Sequence, residues 1–147
     1  MIRAILSAAC AALMMSGCSS RSTAPDLRLA DGWARATAPG QASGAVYLTI
    51  DNRGARDDRL VTVATTRAAT ATIHQSTAAG GVMRMRMLAS LPIPAGKRLK
   101  LLPGGTHIML APLTAPLKSG ETLELTLRFE HAGERRIPVT VVAPGAR

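Results

Sequence analysis

The chain has 147 residues, one domain's worth with room for a real core. It carries 18 Lys and Arg against 9 Asp and Glu, a formal net charge of +9, but the cations are scattered in runs no longer than two, and the aromatics are Trp33, Tyr47 and Phe129 alone. A basic patch interleaved with stacking aromatics is missing, which argues against nucleic-acid binding; a solvated basic surface and attraction to anionic lipid or an acidic protein partner both stay open.

Residues 1–17 read as a secretory signal peptide: Arg3, then the apolar run "AILSAACAALMM", then small residues. The run is short for a bilayer span. "MSGC" (15–18) resembles a bacterial lipobox, which implies cleavage before Cys18, lipid on its sulfur and a membrane anchor facing the periplasm. Ser19 resembles the signal for the outer rather than the inner membrane. An ordinary secreted protein cut nearby is the other reading. Of the two cysteines, Cys10 leaves with the signal peptide and Cys18 carries lipid, so the domain itself has no disulfide and no thiolate site. Only Arg3 is lost among the charged residues, which leaves the mature chain at +8. Residues 18–30 are polar and aperiodic and read as lipidated N-terminus and tether. The folded domain is expected over 31–147.

Short β-like runs then alternate with turn signals. "GAVYLTIDN" (44–52) is an apolar strand followed by a loop, "NRGARDD". "RLVTVATT" (59–66) and the Thr-rich "ATATIHQ" (69–75) precede a turn at "AAGG" (78–81). "VMRMRML" (82–88) alternates strictly; "PIPAGKR" is a loop and "LKLL" (99–102) a short strand. "PGG" (103–105) turns into "THIMLAPL" (106–113), and "TLELTLRFE" (122–130) and "RRIPVTVV" (135–142) complete the set. Many short strands with Gly/Pro turns predict an all-β sandwich or small barrel. The one helical candidate, a turn near 110–117, is opposed by its prolines.

In "VMRMRML" alternate side chains share a face, so Met83, Met85 and Met87 point one way and Arg84 and Arg86 the other. Methionine as a flexible core filler would explain this run alone. It does not explain the distribution. The mature chain has four methionines, 83, 85, 87 and 109; Met109 follows His107 by two, and His74 ends the strand before the methionine run. Imidazole and thioether without carboxylate or thiolate form a soft, neutral donor set suited to Cu(I), not to Zn, Mg or Ca. His107 and Met109, at i and i+2 of a strand, can converge on one metal. The absence of cysteine excludes a blue-copper electron carrier. No Ser/His/Asp set, carboxylate pair or phosphate loop supports an enzyme.

The spacing His74, ten residues, Met85, twenty-one residues, His107, one residue, Met109 resembles the H-x10-M-x21-H-x-M signature of the periplasmic copper chaperones called PCuAC. "GWARATAPGQASGAVYLTIDN" (32–52), "LLPGGTHIMLAPL" (101–113) and "LKSGETLELTLRFEHAGERRIPVTV" (117–141) are similar to segments of that family. The resemblance covers roughly residues 31–143. It implies a cupredoxin-like Greek-key β-barrel that binds one Cu(I) per chain through His74, Met85, His107 and Met109. It further implies a monomer that supplies the dinuclear copper site of cytochrome c oxidase subunit II, with or without a Sco-type protein. Copper sequestration for tolerance is the alternative from the same chemistry, and a metal-free structural lipoprotein the alternative from another class. Gln75 stands where many members have methionine, and the chain ends at "VVAPGAR" without a His/Met-rich tail, so a second copper site is not expected. Met83 and Met87 are expected to be plain packing residues, with a place beside the copper or transient ligation as the alternatives. Trp33 is read as structural and His131 as a solvated turn residue. Arg84 and Arg86 are a solvated strand face or a positive surface for an acidic partner.

Overall fold

The computed structural model describes residues 24–147. The signal peptide, Cys18 and the first part of the tether lie outside the described residues. Those described form ten strands: β1 (Leu27–Arg35), β2 (Gly44–Asn52), β3 (Asp58–Ala64), β4 (Ala68–Ala79), β5 (Val82–Leu88), β6 (Leu91–Ile93), β7 (Arg98–Lys100), β8 (Thr106–Leu113), β9 (Thr122–Phe129) and β10 (Gly133–Val142). No helix occurs among the described residues, and the segment 110–117 continues as strand and bend.

Seven strands close a barrel in the order β4-β8-β2-β1-β10-β9-β3, sealed where Val63 of β3 pairs Ala71 of β4. Neighbours run antiparallel except β1 and β10, which are parallel. The short strands β6 and β7 and the longer β5 lie outside this ring, on β3, β2 and β4. The core follows from period-two alternation. Leu123, Leu125, Leu127 and Phe129 of β9 point inward and are buried, as are Val46, Leu48 and Ile50 of β2. Each such side chain contributes about 1.5–3 kcal/mol on burial.

Two departures from the expected elements have physical causes. β1 begins at Leu27, inside the segment read as tether. Its alternation is broken by an extra residue between Ala30 and Trp33, where Asp31 takes φ 55°. Before this bulge Leu29 opposes core-facing Ile50; after it Ala34 opposes core-facing Val46. The bulge thus flips the phase and sends Trp33 to the outer face beside Tyr47. β6 occupies part of the loop expected at "PIPAGKR". It pairs only β3, so Pro92 sits in an edge strand, where a missing N–H is tolerated.

β4 runs on to Ala79, and the turn to β5 is reduced to Gly80–Gly81, with φ of 58° and 77°. Two successive left-handed residues form the tight hairpin turn that matches strand twist, and glycine adopts them without cost to a Cβ. β3 meets β4 only at Ala71; β5 takes over from Ile73. The β4–β5 hairpin therefore leaves the ring as an arm attached along β8.

Candidate metal centre

His74 on β4 pairs His107 on β8 and, on its other side, Met87 on β5. Directly opposed residues share a face. His107, His74 and Met87 thus form one row across three strands, on the outside of the barrel; the adjacent row, Ile108, Ile73 and Leu88, packs on the core. Two residues along on the same face, Thr72 opposes Met109; two residues in the other direction, Ser76 opposes Met85. All four sequence-derived donors therefore share one face, the imidazoles central and a thioether to either side.

The imidazole rings stack with centroids 6.0 Å apart and planes 26° from parallel. His107 is only 6% exposed. Its Nδ1–H donates to the Gly105 carbonyl at 3.1 Å. A carbonyl can only accept, so in the neutral ring this bond selects the tautomer whose lone pair is on Nε2. The same carbonyl accepts the Ser76 N–H at 3.1 Å, tying the 103–105 turn to β4. His74 Nε2 lies 3.0 Å from the Thr72 hydroxyl, and its Nδ1 is buried without a partner. An orphaned buried polar atom costs roughly 1–3 kcal/mol and calls for a reason; a metal ion seated on the nitrogen is one. Burial first, and the neighbouring His107 second, push the His74 pKa below the ordinary imidazole value. The ring is accordingly neutral near pH 7, the form that ligates metals.

Behind His107 the row continues into Tyr47, 6.3 Å away between centroids, and then Trp33, 4.4 Å from Tyr47. Trp33 and Tyr47 are buried and back the imidazole, which accords with a structural Trp33.

Met83, Met85 and Met87 are 58%, 55% and 65% exposed. Plain core packing of Met83 and Met87 is not what the structure shows: β5 lies outside the barrel ring, and both side chains are more than half exposed. Arg84 and Arg86 occupy the opposite face, where Arg86 Nε and Nη2 both donate to Gln75 Oε1 at 3.1 and 2.8 Å. His131 is exposed in the β9–β10 turn, on strands that do not neighbour β4, β5 or β8. Thr72 and the Gly105 carbonyl were not singled out in the sequence; each lies two residues before a histidine, on the same strand face or at the strand's entrance.

No Asp or Glu occurs between Asp58 and Glu121, so β4, β5 and β8 supply no carboxylate. Among the described residues no three His, Cys, Asp or Glu side chains come together. What gathers instead is two imidazoles and a set of thioethers. That set is neutral and soft, fitting a monovalent cuprous ion better than a hard divalent one.

A closed β-barrel whose outer face gathers imidazoles and thioethers defines the class: a small all-β domain with its histidines and methionines aligned on one face of β4, β5 and β8. The chain belongs to the LpqE-like lipoprotein family, whose model matches residues 27–141. A Leifsonia xyli protein named as a lipoprotein, Lxx21020, is 31% identical over 119 residues, covering 80% of this chain and 70% of its own length. Among solved structures, the copper-bound PCuAC domain from PmoF2 is 27% identical with TM-score 0.69, covering 80% of this chain and 93% of that one. The apo PCuAC domain from PmoF1 is 31% identical with TM-score 0.69, covering 80% and 94%. The CuI form of DR1885 from Deinococcus radiodurans is 30% identical with TM-score 0.64, covering 86% and 83%. The barrel is thus the cupredoxin-like fold of PCuAC domains, as the sequence resemblance implied.

Proposed function

We propose that this protein is an exported, lipid-anchored copper chaperone that holds one Cu(I) on His74, Met85, His107 and Met109 and hands it on. The observation that carries the reading is the pair of register-aligned imidazoles, each with one uncommitted ring nitrogen, flanked on an outward face by thioethers and free of carboxylates. The copper-bound PmoF2 domain and the CuI form of DR1885 support it. Neutral thioethers can be displaced one at a time, and an exposed donor strand lets an acceptor's ligands reach the ion, so exchange rather than storage suits the geometry. By the PCuAC resemblance the acceptor is the dinuclear copper site of cytochrome c oxidase subunit II, directly or through a Sco-type protein, and the protein acts as a monomer without catalysing a reaction.

A competition titration of the purified protein with Cu(I) against a chromophoric cuprous chelator, under reducing conditions, is expected to show one tightly held equivalent. The loaded protein is then expected to give up that equivalent to the apo subunit II domain. No binding above background would overturn the reading; binding without release would favour sequestration.

The anchor belongs to the same proposal, with residues 1–17 as signal peptide, Cys18 lipidated and the tether leading into the barrel. Cys18→Ser is expected to move the protein from the membrane to the soluble fraction of a cell fractionation. Continued membrane retention would remove the lipid anchor.

A further inference from the structure

Met85 is the thioether that the spacing of the motif selects on β5. The strand register singles out another. Met87 is the residue directly opposite His74, and His74 is directly opposite His107. Directly opposed residues have Cβ atoms about 4.5–5.5 Å apart, against about 7–8 Å on the diagonal. Met85 opposes Ser76 and so reaches His74 only diagonally. Met87 is the more exposed of the two, at 65% against 55%, and has no packing role that ligation would disturb. Both are unbranched and flexible, so either sulfur can swing over the imidazole row.

We propose that Met85 and Met87 are interchangeable thioethers for the same Cu(I), so that the ion is held by His74, His107, Met109 and one of the two at a time. The inference rests on the copper-binding reading above. Three donors sit on rigid positions: His107 is locked by Gly105, His74 is seated beside Thr72, and Met109 lies on a barrel strand. The fourth comes from an arm that offers two sulfurs, one directly opposite His74 and one on the diagonal. Exchange between them breaks one Cu–S bond as another forms, without change of charge or oxidation state. It opens one side of the ion to an incoming ligand while the histidines keep hold. Met83 extends the row but opposes Ala78, one step further from any imidazole, and is not a member of the pair.

The test is the chelator competition repeated on the purified protein and on Met85→Ala, Met87→Ala, the double variant and Met83→Ala, together with X-ray absorption of the Cu(I)-loaded forms. All three side chains are more than half exposed, so these variants are expected to fold, with circular dichroism as the check. Each single variant at 85 or 87 is expected to lose about tenfold or less in affinity and to keep the sulfur count of the unsubstituted protein. The double variant is expected to lose about a hundredfold or more and one sulfur neighbour. Met83→Ala is expected to match the unsubstituted protein. If either single variant falls as far as the double, interchangeability is overturned while the copper site stands. If the unsubstituted protein binds no Cu(I), the underlying reading fails and this inference with it.

Discussion

His107→Ala is expected to lower Cu(I) affinity by about a hundredfold or more, beyond the 10–100-fold that loss of a mere supporting partner costs a metal site. His107 is the most constrained donor of the cluster. It is packed between the rings of Tyr47 and His74 and its Nδ1–H is committed to Gly105. Its neighbours on β8 offer no substitute nitrogen: Met109 shares its face, and Thr106 and Ile108 point to the other. The thioethers cannot compensate, since those of β5 reach the ion from the far side of β4. Truncation also leaves a cavity beside Tyr47, so some loss of stability accompanies it, on the order of 1–3 kcal/mol. His74→Ala separates the two effects. His74 is only half-buried and its Nδ1 is unpartnered, so the fold is expected to tolerate its loss while copper binding suffers comparably. The chelator competition measures affinity, and a thermal melt of the metal-free variants measures stability. Affinity unchanged in both variants would remove the histidine row from the site.

Much of this site was legible in the sequence because a strand's period is fixed. Once "VMRMRML" and "THIMLAPL" are read as strands, the methionines and His107 must each take one face, and β5 and β8 have the boundaries that the alternation marks. Period decides which residues share a face; it does not decide whether that face is covered. That is why Met83 and Met87 read as packing when they are solvent-facing. Pairing register is likewise absent from a single sequence. The spacing of the motif selects Met85, whereas only the β4–β5 register brings Met87 opposite His74. β1 escaped because the bulge at Asp31 interrupts its alternation midway, and β6 because a proline marks it as loop. The backbone carbonyl that orients His107 belongs to a glycine and has no side-chain signature at all.

Asp58 shows the same limit more sharply and leads to the second large effect. In sequence it belongs to "NRGARDD", a charged loop with every mark of solvent exposure. In the fold it is 5% exposed at the start of β3. Its Oδ1 accepts the N–H of Arg59 at 2.7 Å and of His131 at 2.9 Å, and its Oδ2 accepts the N–H of Ala132 at 2.9 Å. One carboxylate thus pins the β9–β10 turn to the edge of β3, and the contribution of His131 is its backbone, not its imidazole. Asp58→Ala removes the acceptor of three part-buried N–H donors, and a hydrogen bond to a charged group is worth about 1.5–3 kcal/mol. The expected loss is about 3 kcal/mol or more, a drop in melting temperature of roughly 10 °C for a domain of this size. Asp58→Asn keeps an acceptor for Arg59 and His131 but sets an amide N–H₂ against the Ala132 N–H, so a smaller loss is expected. Urea denaturation followed by the fluorescence of Trp33, the sole tryptophan and a buried one, reads both variants. If Asp58→Ala unfolds at the urea midpoint of the unsubstituted protein, the three bonds contribute nothing net, and the turn is held by the β9–β10 ladder alone.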